Sequence, residues 1–138
     1  MSSYNIFLAS PKGTSDQEVE SALELVQSKF SEAIPHATVT VVKAKDEFDR
    51  TFKQCGGWDG WTTHVATGVD YEFRTPLYNA IVCTTPTVGR ATAQIAERAL
   101  AARRMVALVQ QGTLSRVVGV ECLDSDNWQT GWRLNTAP

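Results

Sequence analysis

An α/β domain built on a largely parallel sheet is the fold class this sequence predicts, and three observations carry it. Short apolar runs alternate with stretches of helical spacing, in the order strand, helix, strand, helix, strand, helix, strand. The connections carry Gly, Pro, Ser and Thr, the residues of turns and helix starts. No repeat, low-complexity tract or linker divides the 138 residues, about one domain's worth.

Each element has its own reason. Tyr4-Asn5-Ile6-Phe7-Leu8-Ala9 is an apolar run ended by Ser10-Pro11-Lys12-Gly13, a buried strand and its loop. Ser15 stands three residues before Glu18, the spacing that satisfies free helix amides. Val19, Ala22, Leu23, Val26 and Phe30 then recur with helical period and Pro35 closes the stretch. Ala37 to Lys43, rich in Val and Thr, reads as a second strand. Asp46 to Cys55 reads as a short helix with Phe48 and Phe52 stacked one turn apart, stopped by Gly56-Gly57. Residues 56–79 form an aromatic-rich segment without clear period. Ala80 to Cys83 is a buried strand, residues 84–89 are a loop, and Arg90 to Arg104 is an Ala-rich helix facing inward through Ala91, Ile95, Ala99 and Ala102. Met105 to Val109 is a fourth strand, Gln111-Gly112 a turn, and Arg116 to Leu123 a fifth strand. Asp124 to Asn127 is turn chemistry, and residues 128–134 close the chain, with room for an antiparallel edge strand. The expected result is a small flavodoxin-like or Rossmann-like three-layer sandwich of about five mainly parallel strands.

Composition narrows function. Hydrophobic residues are 43% and charged residues 20%, enough apolar surface for a folded core, so wholesale disorder is excluded. Thirteen Lys and Arg against fifteen Asp and Glu give a net charge of −2, which argues against charge-driven binding to nucleic acid. No apolar run approaches the roughly 20 residues of a membrane span. Met1-Ser2-Ser3-Tyr4 is not a basic segment followed by an apolar one, so a cytoplasmic chain is expected. Cys55, Cys83 and Cys122 are odd in number and far apart, and no C-x-x-C or H-E-x-x-H occurs, so neither a disulfide framework nor a metal site is expected.

The fold class carries a positional rule. Ligands of open α/β sheets bind outside the carboxyl ends of strands whose connections leave to opposite faces. Here the loops after the first and third strands are Ser10 to Ser15 and Thr84 to Arg90, both hydroxyl-rich and both leading into a helix N-terminus, which suits an anion. Arg90 stands in a first helical turn, where its charge opposes the helix dipole, and this is explained by an anionic ligand, by a partner such as Asp70 or Glu72, or by plain solvent. Ser10, Lys12, Thr87, Gly89 and Arg90 are therefore the expected ligand contacts. No G-x-G-x-x-G follows the first strand and no P-loop motif is present, so no dinucleotide or other cofactor is assigned.

Ile6 to Pro11, and the strand, Gly-containing loop, Ala-rich helix and strand of Ala80 to Val109, resemble nucleoside 2-deoxyribosyltransferase-like proteins. That resemblance implies a nucleoside or nucleotide held at the strand ends and chemistry at its N-glycosidic bond. The family places a Glu nucleophile in the first turn after a Gly-Thr pair. Here that turn is Gly89-Arg90-Ala91-Thr92-Ala93-Gln94, Thr84-Thr85 replaces the usual acid, and Glu97 lies one turn later. TIR-type domains open on a similar strand, loop and helix, so architecture alone also accounts for the likeness.

Five of the twelve aromatic residues crowd into 56–79. Trp58 and Trp61, among Gly56, Gly57 and Gly60, read either as a stacking lid over a base or as packing at a sheet edge or subunit interface. His64 with Asp70 or Glu72 reads as an acid–base pair or as a structural histidine. Trp128 and Trp132 read as packing for the tail. The function expected is binding of a nucleotide-like or other anionic small molecule at the strand-end crevice. If the chain is an enzyme, Glu97 or Glu72 would serve N-glycosidic bond chemistry. The alternative is a non-enzymatic accessory protein that sequesters a nucleotide or docks on a protein through the aromatic segment. A homo-oligomer is left open.

Overall fold

The structure is a computed structural model and describes residues 2–11, 13–67, 69–70 and 75–138. In chain order the elements are β1 (Ser2–Ala9), α1 (Asp16–Ala33), β2 (Ala37–Lys43), α2 (Ala44–Thr51), a 3-10 turn (Phe52–Cys55) and α3 (Trp58–Thr67). A two-residue ladder of β3 (Val69–Asp70) and β4 (Thr75–Pro76) follows, then β5 (Ala80–Cys83), β6 (Thr87–Val88) and α4 (Arg90–Ala101). The chain ends with β7 (Met105–Gln110), β8 (Thr113–Cys122) and β9 (Trp132–Thr136).

The α/β class holds, but the sheet is larger than five strands and is mixed. Seven strands run in the order β2-β1-β5-β7-β8-β9-β6. The first four are parallel, with Ile6 beside Val41 on one side and Ala80 on the other. The last three are antiparallel. The reason is the Gln111-Gly112 turn, where φ is 50° and 75°. A tight turn with two positive φ values folds a strand straight back, whereas a parallel return needs a crossover of a dozen or more residues. Residues 84–89, read as a loop, contain β6, which pairs with β9 through Thr87–Arg133 and Val88–Trp132. The third parallel strand's loop is thereby stitched to the end of the chain.

Pleating sorts the strand residues onto two faces. Ile6, Leu8, Val82, Ala107 and Val109 meet Val26 and Phe30 of α1. Phe7, Ala9, Ile81, Cys83, Val106 and Leu108 meet α3 and α4 on the opposite face. Ser15 caps α1 as its spacing predicts, its hydroxyl accepting from the Glu18 N–H at 3.2 Å. The inward face of α4 is Ala93, Ile95, Ala96 and Ala99, rotated slightly from the predicted stripe, so Ala91 is only half-buried and Ala102 is exposed. Small side chains there let α4 lie close to α3 and the sheet.

Within 56–79, residues 58–67 are helical. β-Branched residues and Gly60 hide the period, because they have poor helix propensity. Their hydroxyls satisfy the helix instead: Thr63 donates to the Asp59 carbonyl and Thr67 to the Thr63 carbonyl, each at 2.8 Å. Gly60 belongs there because a Cβ would lie 1.9 Å from the Cys55 carbonyl oxygen. Gly56, at φ 76°, ends the preceding 3-10 turn as read. Among the described residues no helix is long and apolar enough to cross a membrane.

Candidate functional site at the β1/β5 switch point

β1 leads through α1 to β2 on one side, and β5 leads through α4 to β7 on the other. Their carboxyl ends therefore part, leaving a crevice at the reversal of strand order. A cleft of about 430 Å³ occupies it, lined by Ser10, Thr87, Gly89 and Arg90 together with Trp128 and Gln129. Four of the predicted contacts thus meet there. Lys12 lies outside the described residues.

The roof of the cleft is the 124–131 loop, held down on the first turn of α4. The Arg90 N–H donates to the Trp128 carbonyl at 3.0 Å. The Arg90 guanidinium carbon lies 4.5 Å from the centre of the Trp128 ring, within cation–π range. Gly89 permits this approach, because a Cβ there would sit 2.7 Å from the Trp128 carbonyl oxygen. On the floor, the Ser10 hydroxyl is buried with no hydrogen-bond partner among the described residues. Thr85 folds its loop inward by donating to the Thr87 carbonyl at 2.9 Å.

Trp128 is thus the aromatic residue at the crevice mouth, and it is 62% exposed. Sequence reasoning missed it. Its position depends on the long β8–β9 connection returning across α4, which no local spacing encodes. Arg90 finds this ring as its protein partner, and among the described residues it makes no ion pair with an acid. The side chain of Asp70 and the whole of Glu72 lie outside the described residues.

A second cleft, about 720 Å³, opens on the other side of β1, between α1 and the start of α2, and shares Ser10 and Pro11 with the first. Asp16, Glu20, Asp46 and Asp49 line it with Lys43 and Lys45. Lys43 donates to Glu20 at 3.0 Å and stands 3.9 Å from Asp46. The hydrogen bond to Glu20 is the main reason its ammonium is held above the usual lysine range. The sequence reading did not anticipate this cleft, since its acids come from two helices that only the β1–β2 pairing brings together.

Trp58 and Trp61 line neither cleft. They belong to an aromatic stack on α2, the 3-10 turn and α3, with Phe48–Phe52 centroids 4.4 Å apart, Phe52–Trp58 5.0 Å and Phe48–Trp61 5.4 Å. Trp61 is buried and donates from its indole to Thr51 at 3.1 Å. It fills the core, away from the crevice. Glu97 is exposed on α4, two turns beyond Arg90, and also lines neither cleft.

One further polar group went unnoticed in the sequence. Glu47 is 1% exposed and takes a bidentate grip from Arg50, with contacts of 2.8, 3.0 and 3.2 Å. His64 Nε2 lies 3.5 Å from its Oε1. His64 thus meets Glu47 among the described residues; the Asp70 side chain and Glu72, the acids expected beside it, lie outside them. Burial, and next Glu47 itself, raise the Tyr78 hydroxyl well above its ordinary range. Burial also raises the Cys55 thiol, which leaves it a poor nucleophile. This cluster clamps α2, α3 and the approach to β5 around one buried charge. Among the described residues no group of three His, Cys, Asp or Glu is placed to hold a metal ion.

Comparison of the chain with protein-family models, with curated proteins and with solved structures yields no match.

Proposed function

We propose that this chain binds a nucleotide-like or other small anionic molecule in the crevice between β1 and β5. The observation that carries the reading is the convergence of Ser10, Thr87 and Arg90 on one cleft at the reversal of strand order. Arg90 is pre-positioned by the Trp128 ring and needs little ordering to meet an anion. Ser10 lines the same cleft, and its buried hydroxyl has no hydrogen-bond partner among the described residues, so a turn of this side chain toward the cleft would let a ligand oxygen satisfy it. The parallel strand order β2-β1-β5-β7 agrees with a flavodoxin-like arrangement, in which this position is the ligand site.

The reading is one of binding, as in a protein that sequesters its ligand. N-glycosidic chemistry needs a carboxylate beside the reacting carbon. None of the described residues lining this crevice is acidic. Isothermal titration with inorganic phosphate and with nucleoside monophosphates tests the proposal. Replacing Arg90 by Ala should weaken anion binding about 10- to 100-fold, the worth of a charge-assisted hydrogen bond. Unchanged affinity in that variant would remove the site assignment.

A further inference from the structure

The two clefts share Ser10 and Pro11 but differ in charge. The crevice between β1 and β5 has Arg90 and no acid among its described lining. The cleft over β1 and β2 has four carboxylates against two lysines. Lys43 is committed to Glu20 and Asp46. Asp49 makes no ion pair among the described residues, and Asp16 acts on Lys43 only through longer-range attraction. Asp16 and Asp49 are thus acceptors facing an open cleft.

Resting on the crevice reading, we infer that the ligand is a phosphate ester of a sugar bearing neighbouring hydroxyls, lying across Ser10 with its phosphate toward Arg90 and its hydroxyls toward Asp16 and Asp49. Carboxylates only accept hydrogen bonds, so they repel the phosphate and match hydroxyl donors. The polarity of the two clefts therefore sets the direction of the ligand. The clefts lie on either side of one strand, so their midlines are separated by about one strand spacing, ~5 Å. Ser10, whose buried hydroxyl has no partner among the described residues, lines both clefts and so stands at their crossing.

Titration of the full chain, in buffer containing a chelator of divalent cations, decides the matter. The probes are inorganic phosphate, ribose 5-phosphate and adenosine 5′-monophosphate. Ribose 5-phosphate should bind at least about tenfold more tightly than phosphate, one added charge-assisted hydrogen bond's worth. The double variant D16N/D49N should lose that gain, while its affinity for inorganic phosphate should not fall and should rise as the carboxylate repulsion is removed. Arg90→Ala should weaken all three probes. Adenosine monophosphate binding like ribose 5-phosphate identifies the sugar phosphate as the whole recognised unit, and tighter binding adds the base; both results support the proposal. If ribose 5-phosphate binds no better than phosphate, or if the double variant leaves its affinity unchanged, the sugar orientation is wrong and the anion site stands. If no probe binds, the crevice reading itself fails and this inference falls with it.

Discussion

Gly89 is the residue on which the crevice roof rests, and replacing it by Ala offers a quantitative test of that geometry. Its φ of −79° is open to any residue, so the substitution introduces no backbone strain. The obstacle is contact. The new Cβ would lie 2.7 Å from the Trp128 carbonyl oxygen and 3.3 Å from that of Gln129. Both are backbone atoms and cannot rotate away. Restoring an ordinary 3.4 Å contact moves the Trp128 carbonyl by about 0.7 Å, in a loop whose carbonyl accepts from the Arg90 N–H at 3.0 Å. Losing that hydrogen bond costs about 1 kcal/mol. Displacing the Trp128 ring from Arg90 adds about 0.5–1 kcal/mol. Ala is also a poorer helix N-cap than Gly, by up to about 1 kcal/mol. The expected loss is about 2–3 kcal/mol, or a fall in Tm of roughly 10 °C for a chain of this length. Urea unfolding followed by circular dichroism measures it. Trp128→Ala is the companion variant, since it removes the ring and keeps the carbonyl. It should cost only about 0.5–1 kcal/mol. Gly89→Ala within about 0.5 kcal/mol of the parent, the range of an inconsequential surface change, would refute the argument that the roof is held by this close approach.

Three other expectations follow from the core. Arg50→Ala strips the buried Glu47 carboxylate of its guanidinium and should cost about 2–3 kcal/mol, below the full value for a buried pair because Arg50 is itself exposed. The double variant R50A/E47L should recover most of that loss, and equal damage in the two would show that the charge is not the cause. Thr51→Val leaves the Trp61 indole N–H without its acceptor at 3.1 Å and should cost about 1–3 kcal/mol, whereas Thr51→Ser should be milder. Burial pushes the Cys83 thiol from 9.0 up to about 12. The unfolded chain then loses this proton first, so its contribution is intact below pH 9 and fades above it. The slope is about 1.4 kcal/mol per pH unit, with tyrosine adding to it only above its own unfolded value of 10.0. Urea midpoints between pH 8 and 10 should fall less steeply in Cys83→Ala, and parallel slopes would contradict the assignment.

Much of the framework was legible because it is local. The Ser15–Glu18 cap, the period of α1, the Val- and Thr-rich β2 and the Gly56 stop all depend on residues a turn or less apart. The crevice was legible in part for the same reason, since a hydroxyl-rich loop entering a helix is a local pattern. Ser10, Thr87, Gly89 and Arg90 do converge. The α3 helix was obscured by threonines whose hydroxyls compensate for poor propensity only once the helix exists. Trp61 carried the composition of a ligand-stacking residue, and its burial against Phe7 and Phe48 depends on how α3 crosses the sheet.

Local chemistry therefore determined the alternation of elements, the switch-point loops and the cation that marks the crevice. Tertiary structure alone decided what stands beside them. The antiparallel return at Gln111-Gly112 carries β8 and β9 outward, and their connection comes back over α4 to place Trp128 on Arg90. The pairing of β1 with β2 brings acids of α1 and α2 to the walls of one cleft. Packing of α2 on α3 encloses Glu47 with Arg50, His64 and Tyr78. Such long-range contacts are selected by the burial of whole faces, a property of the complete chain that no window of neighbouring residues contains.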